Sequence, residues 1–273
     1  MLRLLRSRLP VNSALFTSLL IGGLSGCSGD DSWPAEAGFD ADGSDKAAIA
    51  LADQVMARQG GYARWKQARY LAWTYYGAYH IWDKRLGIYR HEKNGRVVLM
   101  SVVKPEGKVF VGGKRMIDPV QTRETLEQTF MIWRFATDFL ILPFRLKDSG
   151  VTLRHGGPGL TMTHDTADIL DMTYHGTGPT GNGRNQLWVS RKDHLVTQWA
   201  FYAQPADPRP AFVRDWLDYR NYNGVLLASQ RNSATDTLSL SHIAVLDTLP
   251  RDLFFSARPI DKSAVAAWAN RKK

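Results

Sequence analysis

The stretch Leu126 to Leu153, LEQTFMIWRFATDFLILPFRLKDSGVTL, constrains this chain more than any other, because it is the densest apolar run after residue 24. Asp118, Pro119 and Gln121 just upstream supply a helix start: a capping carboxylate, proline at the first helical position, and an amide three residues after the cap. Leu126, Phe130, Trp133 and Ile141 fall on one side at helical spacing, and Met131, Phe135 and Phe139 widen that stripe. Only Arg134 and Asp138 are expected to solvate the far side. Pro143 ends the helix. A helix this apolar demands cover over most of its circumference.

The rest of the chain supplies the cover. Asp45 to Arg58 reads as an amphipathic helix ended by Gly60-Gly61. Arg69 to Asp83 alternates with a period of two. Leu71, Trp73, Tyr75, Tyr79 and Ile81 are expected on one face, with Gly77 as a bend or bulge. Strands over 86–91 and 96–103 flank the hairpin signal Asn94-Gly95, and strands over 108–111 and 115–117 flank Gly112-Gly113. After Pro143, short strands are expected at 150–154, 159–164, 168–174, 186–190 and 195–202. A hairpin over 212–230 turns at Asn223-Gly224, and a last strand covers 238–246. Helix, meander, apolar helix, meander: this order predicts a mainly β, α+β fold, in which a strongly curved antiparallel sheet wraps around a buried helix.

The amino end has a different character. Arg3, Arg6 and Arg8 precede an apolar core, Ala14 to Leu24, too short to span a bilayer, as in a secretory signal. Leu24-Ser25-Gly26-Cys27 resembles the lipobox of bacterial lipoproteins, in which the cysteine receives diacylglycerol and a further acyl chain such as palmitate. Cys27 is the only cysteine, so an internal disulfide is impossible. Several acyl chains anchor firmly where one does not. Ser28 lacks the Asp that resemblance to the sorting rule of enteric bacteria requires for inner-membrane retention, so the resemblance implies the outer membrane, facing the periplasm. The expected organisation is a signal peptide over 1–26, a flexible acidic tether over 27–44, one domain over 45–258 and a basic tail over 259–273.

Removing the signal leaves 32 basic and 26 acidic residues, net +6, without a long basic run before Arg271-Lys272-Lys273. That pattern does not suggest nucleic acid as a partner. Aromatics make up 11% of the chain, with nine Trp, which suits a β-rich protein or an aromatic-lined cavity.

Residues 133–153 carry a family resemblance: Trp, Asp, aromatic-Leu, then Pro-Phe-basic-Leu-Lys-Asp and Gly-Val-x-Leu. Ile81-Trp82-Asp83 with Arg90, and Gln198 to Tyr202 with Asp215-Trp216 and Asp218-Tyr219, fit the same pattern. In these the chain resembles bacterial lipoproteins grouped with the LolA/LolB-like superfamily of outer-membrane lipoprotein carriers. The resemblance spans roughly residues 46–256. It implies a half-open β-barrel with helices on its concave face, where the carriers hold acyl chains. The carriers' own lipid-handling residues have no position-by-position match here, so transport is not implied.

No catalytic constellation is visible. Gly176 to Gly181 spells G-x-G-x-x-G, but a strand pattern follows it where a dinucleotide site needs a helix. The seven His are scattered and none has a metal spacing, so neither a metal site nor a cofactor is expected. Asp83, Asp138, Asp148, Asp215 and Asp218 are expected to pair with Arg134, Arg145, Arg214 or Arg220. Trp73, Tyr75, Tyr79, Trp133, Phe135, Phe139, Trp199 and Phe201 are either packed core or the lining of a lipid-sized cavity. A lipid-binding envelope lipoprotein is the first expectation. An envelope interaction module with a filled core and a protein partner is the second. A hydrolase, needing a carboxylate or His pair converging in a cleft, is the third.

Overall fold

In the computed structural model, residues 33–175 and 183–269 are described. The signal segment, Cys27, the Gly176–Gly181 motif and Arg271–Lys273 lie outside them. The helices are α1 (Lys46–Arg58), α2 (Gly61–Gln67), α3 (Pro119–Ile141), α4 (Arg251–Phe255) and α5 (Lys262–Ala269). No helix among the described residues is long and apolar enough to cross a membrane.

Six strands precede α3: β1 (Tyr70–Tyr75), β2 (Ala78–Asp83), β3 (Ile88–Lys93), β4 (Arg96–Ser101), β5 (Gly107–Val111) and β6 (Lys114–Arg115). After it come β7 (Val151–Leu160), β8 (Thr166–Tyr174), β9 (Arg184–Ser190), β10 (Val196–Tyr202), β11 (Phe212–Asp215), β12 (Leu217–Tyr222), β13 (Val225–Asn232), β14 (Thr237–Ser239) and β15 (Ser241–Leu246). All strand pairs are antiparallel. One sheet runs β15-β1-β2-β3-β4-β5-β6, a second β11-β10-β9-β8-β7 and a third β12-β13-β14. Two backbone bonds extend these ladders past the strand ends: Trp216 N donates to Thr197 O (2.8 Å), and Leu240 N donates to Ser229 O (2.8 Å). None of the three sheets closes, and α3 lies against β4 and β5 of the first and β13 of the third. This is the expected fold: mainly antiparallel β, unclosed, around a central helix.

Local chemistry fixes these elements. Asp118 caps α3, its carboxylate accepting from Val120 N and Gln121 N (both 2.9 Å), and Pro119 takes the first position. The hairpins at Asn94-Gly95 and Asn223-Gly224 carry positive φ at both turn residues, the geometry that matches strand twist. At the far end of α3, Arg231 donates to Phe139 O (2.6 Å) and lies 3.5 Å over the Trp216 ring. A cation there meets the negative end of the helix dipole.

Five expectations need correction. Tyr76-Gly77 is a two-residue hairpin turn rather than a bend within one strand (φ 46° and 74°). Such a turn shifts the alternation, so Leu71, Trp73 and Tyr75 share a face with Ala78, His80 and Trp82, while Tyr79 and Ile81 fall on the other. The wall around α3 is also less complete than its apolar content demands. Met131, Ile132 and Phe135 are 47%, 39% and 40% exposed, and enclosure is complete only from Ala136 onward. Asp138 solvates nothing: it is fully buried and takes a 2.6 Å hydrogen bond from Arg145.

The other two corrections concern the ends. Within the expected tether, residues 33–44 are fastened to the domain at several points, with Trp33 and Ser44 buried. Trp33 is buried against Trp65 and Phe144, and Asp40 N donates to Val151 O (3.0 Å). The expected tail forms a strap across the outer face of the seven-stranded sheet. Phe254 packs on Tyr70, and Val265 is buried with Tyr79 and Ile81. Arg90, fully buried on that face, pairs with Glu92 (2.5 Å) and donates to the carbonyls of Phe254 (3.0 Å), Ser256 (2.6 Å) and Arg258 (2.7 Å). Apolar residues on both sheet faces therefore require cover, and the chain's end supplies the second layer.

Candidate functional site

The exposed turn of α3 faces the tip of the β1–β2 hairpin, and a cleft of about 290 Å³ lies between them. Its walls are apolar. Met131, Ile132 and Phe135 come from the helix, while Tyr75, Tyr76 and Ala78 come from the hairpin. The Tyr76 ring stands edge-on to Tyr75 at 4.7 Å, and Tyr75 rests on Phe139 at 5.0 Å. The sequence accounts for this arrangement: Tyr76-Gly77 turns the hairpin, and spacings of one and three bring Met131, Ile132 and Phe135 onto adjoining strips of helix.

The floor is polar. His80 and His91 sit opposite one another on β2 and β3, with ring centres 5.3 Å apart. His80 stacks on Trp73 at 4.9 Å and shares a hydrogen bond with the Tyr89 hydroxyl. Burial pushes the His80 imidazole far below its usual range. His91 is 6% exposed, and neither ring nitrogen has a hydrogen-bond partner among the described residues. Burial, helped by Lys93 and Arg96, holds its pKa down to about 4, so it is neutral at neutral pH. Lys93 stands exposed at the mouth, and no carboxylate is among the lining residues.

This arrangement can grip an apolar body and meet a polar group at the floor. A His pair does converge in a cleft, as the hydrolase expectation requires. With a pKa near 4 and no carboxylate to orient it, however, His91 is a weak general base. Among the described residues no group of three or more His, Cys, Asp or Glu is arranged to hold a metal. A larger hollow of about 610 Å³ lies between the start of β5, the end of β6 and the start of α3. Met116, Ile117 and Leu126 line it together with Glu106, Arg115 and Arg123, so its walls mix apolar and charged groups.

The structure separates the eight expected lining residues. Tyr75 and Phe135 line the cleft. Trp73, Trp133, Phe139, Trp199 and Phe201 are packed core: Trp133 meets Trp82 at 5.8 Å, and Phe139 meets Trp199 at 4.9 Å and Phe212 at 5.7 Å. Tyr79 belongs to the opposite face of the sheet. Tyr76, His80, His91, Lys93 and Ile132 were not expected. The Tyr-Gly turn signal, read as a two-residue loop, puts Tyr75 and His80 on one face. Bringing His91 beside His80 additionally needs the β2–β3 pairing.

The carboxylates are mostly paired. Asp83 takes hydrogen bonds from Arg69 (2.8–3.1 Å), Arg145 lies between Asp138 (2.6 Å) and Asp148 (3.7 Å), and Asp218 pairs with Arg220 (3.1 Å). Arg214 is bound to Asp236 (3.0 Å) instead of any of the five expected carboxylates.

No family model matches the chain, and no curated protein matches it. Among solved structures, it is similar to a DUF1329 family protein from Desulfovibrio piger. That similarity has 12% identity and a TM-score of 0.42 over 80% of this chain and 98% of that one. It is also similar to a putative outer membrane lipoprotein-sorting protein domain from Vibrio parahaemolyticus, with 9% identity and a TM-score of 0.40 over 76% of this chain and 95% of that one.

Proposed function

We propose that this chain is an envelope lipoprotein, anchored through acyl chains on Cys27 and facing the periplasm from the outer membrane. In this reading it holds a lipid or other hydrophobic molecule in the cleft between α3 and the β1–β2 hairpin, in the service of lipid or lipoprotein handling. One observation carries it. Met131, Ile132, Phe135 and Tyr76 are each at least 39% exposed, yet they converge on one concavity. Single exposed apolar residues are ordinary, but a converging set marks a contact surface. The charged start, the short apolar core and Leu24-Ser25-Gly26-Cys27 support the anchor.

The packed aromatics around Trp133 and Phe139 favour the second reading, a filled interaction module, only for the main core; they do not extend into the cleft. The test is titration of the chain from residue 27, carrying Cys27→Ser, with the apolar fluorophore Nile red. One saturable site is expected. Phe135→Asp should weaken it at least tenfold with little change in Tm, because Phe135 is 40% exposed. Unaltered binding in Phe135→Asp, or none in the parent, would overturn the proposal.

A further inference from the structure

Resting on that reading, we infer that the cleft takes a single-chain amphiphile whose carboxylate head lies between His91 and Lys93. A neutral imidazole always carries one N–H and one bare nitrogen. His91 is 94% buried, and both nitrogens lack partners among the described residues. Buried donors are nearly always matched, and an unmatched one is costly. Met131, Ile132 and Phe135 offer nothing that accepts a hydrogen bond well. Tyr75, Tyr76 and His80 carry acceptors, but none of them bonds His91, so an occupant of the cleft can supply the missing partner.

Charge narrows the choice. Lys93 is the only lining residue with a permanent cation, and no Asp or Glu faces it across the cleft. An anionic head meets both demands: one oxygen accepts from the His91 N–H and the other pairs with the Lys93 ammonium. His91 remains neutral at pH 7, so it contributes a donor while Lys93 contributes the charge. The apolar walls take the tail. At about 290 Å³ the space lies just below the roughly 300–1,000 Å³ of ligand sites, which suits one acyl chain better than a diacyl lipid.

Calorimetric titration of the Cys27→Ser chain from residue 27, which contains the whole compact unit Asp31–Lys273, with dodecanoate and with dodecanol tests this. Dodecanoate should bind about tenfold tighter than the alcohol, as expected for one charge-assisted hydrogen bond. His91→Phe and Lys93→Met should each erase that preference. Lys93 is exposed, so its substitution remains decisive even if His91→Phe folds poorly. Equal affinities in the parent, indifferent to both substitutions, would overturn the carboxylate assignment and leave the hydrophobic-ligand reading standing. Binding of neither compound would overturn both. Self-association abolished by Phe135→Asp would make a second copy the occupant and likewise overturn the assignment.

Discussion

His91 is neutral when folded and unpartnered, and both properties have consequences that can be measured. In the unfolded chain its imidazole takes a proton near pH 6.5, whereas burial holds the folded group down at about 4. Between those values the unfolded state binds more protons, so stability is complete above pH 6.5 and falls as the pH drops toward 4. A shift of this size is worth roughly 2–3 kcal/mol at pH 4.5. The groups beside it are His80, itself held neutral by burial, the Tyr89 ring, and Lys93 and Arg96, which help hold its pKa down. Urea unfolding of His91→Phe at pH 7.5 and 4.5 should therefore show a loss smaller by about 2–3 kcal/mol than in the parent. At pH 7.5 the variant should be at least as stable, since an orphaned polar group is replaced by a ring of similar size. Parallel pH dependences would mean that His91 is solvated or partnered when folded. At this scale the sequence was least informative. Tyr79 and His80 exchange faces because of one two-residue turn, and a parity shift has no signature in hydrophobicity. The same shift moved Tyr79 out of the expected lining and His80 into it.

Elements were more legible than residues because their signals are local. The cap at Asp118, the stop at Pro143 and the turns at Asn94-Gly95, Gly112-Gly113 and Asn223-Gly224 lie where backbone chemistry dictates. The strap over 251–269 was not legible as cover, because its partner surface is assembled from strands about 170 residues away in sequence. Arg90 holds that strap: its guanidinium serves three carbonyls of the strap, and Glu92 accepts from Ile260 N (3.3 Å). Breaking one partner of a buried ion pair leaves the other charge uncompensated, at about 3–5 kcal/mol. Arg90→Met should lower unfolding free energy by that order. It should also expose the segment after Leu249 to limited proteolysis before the rest of the chain opens. A variant as stable and as protease-resistant as the parent would show that apolar packing of Phe254 and Val265 alone retains the strap.

For the whole molecule, the apolar helix implied a bent antiparallel wall, and that inference held because a helix and a sheet face with matching apolar surfaces satisfy each other. The completeness of the cover did not follow. The apolar content of α3 exceeds what the wall encloses, and the surplus at Met131, Ile132 and Phe135 forms the cleft. In this account the surplus is retained for an occupant, since exposed apolar side chains add nothing to the stability of the empty fold. The most direct test is to purify the full-length chain from membranes and its Phe135→Asp counterpart side by side. Solvent-extracted material from each would then be analysed by mass spectrometry for non-covalent acyl compounds. The account predicts a near-stoichiometric single-chain amphiphile from the parent and at most a tenth as much from Phe135→Asp. Equal yields from the two, or none from either, would contradict it.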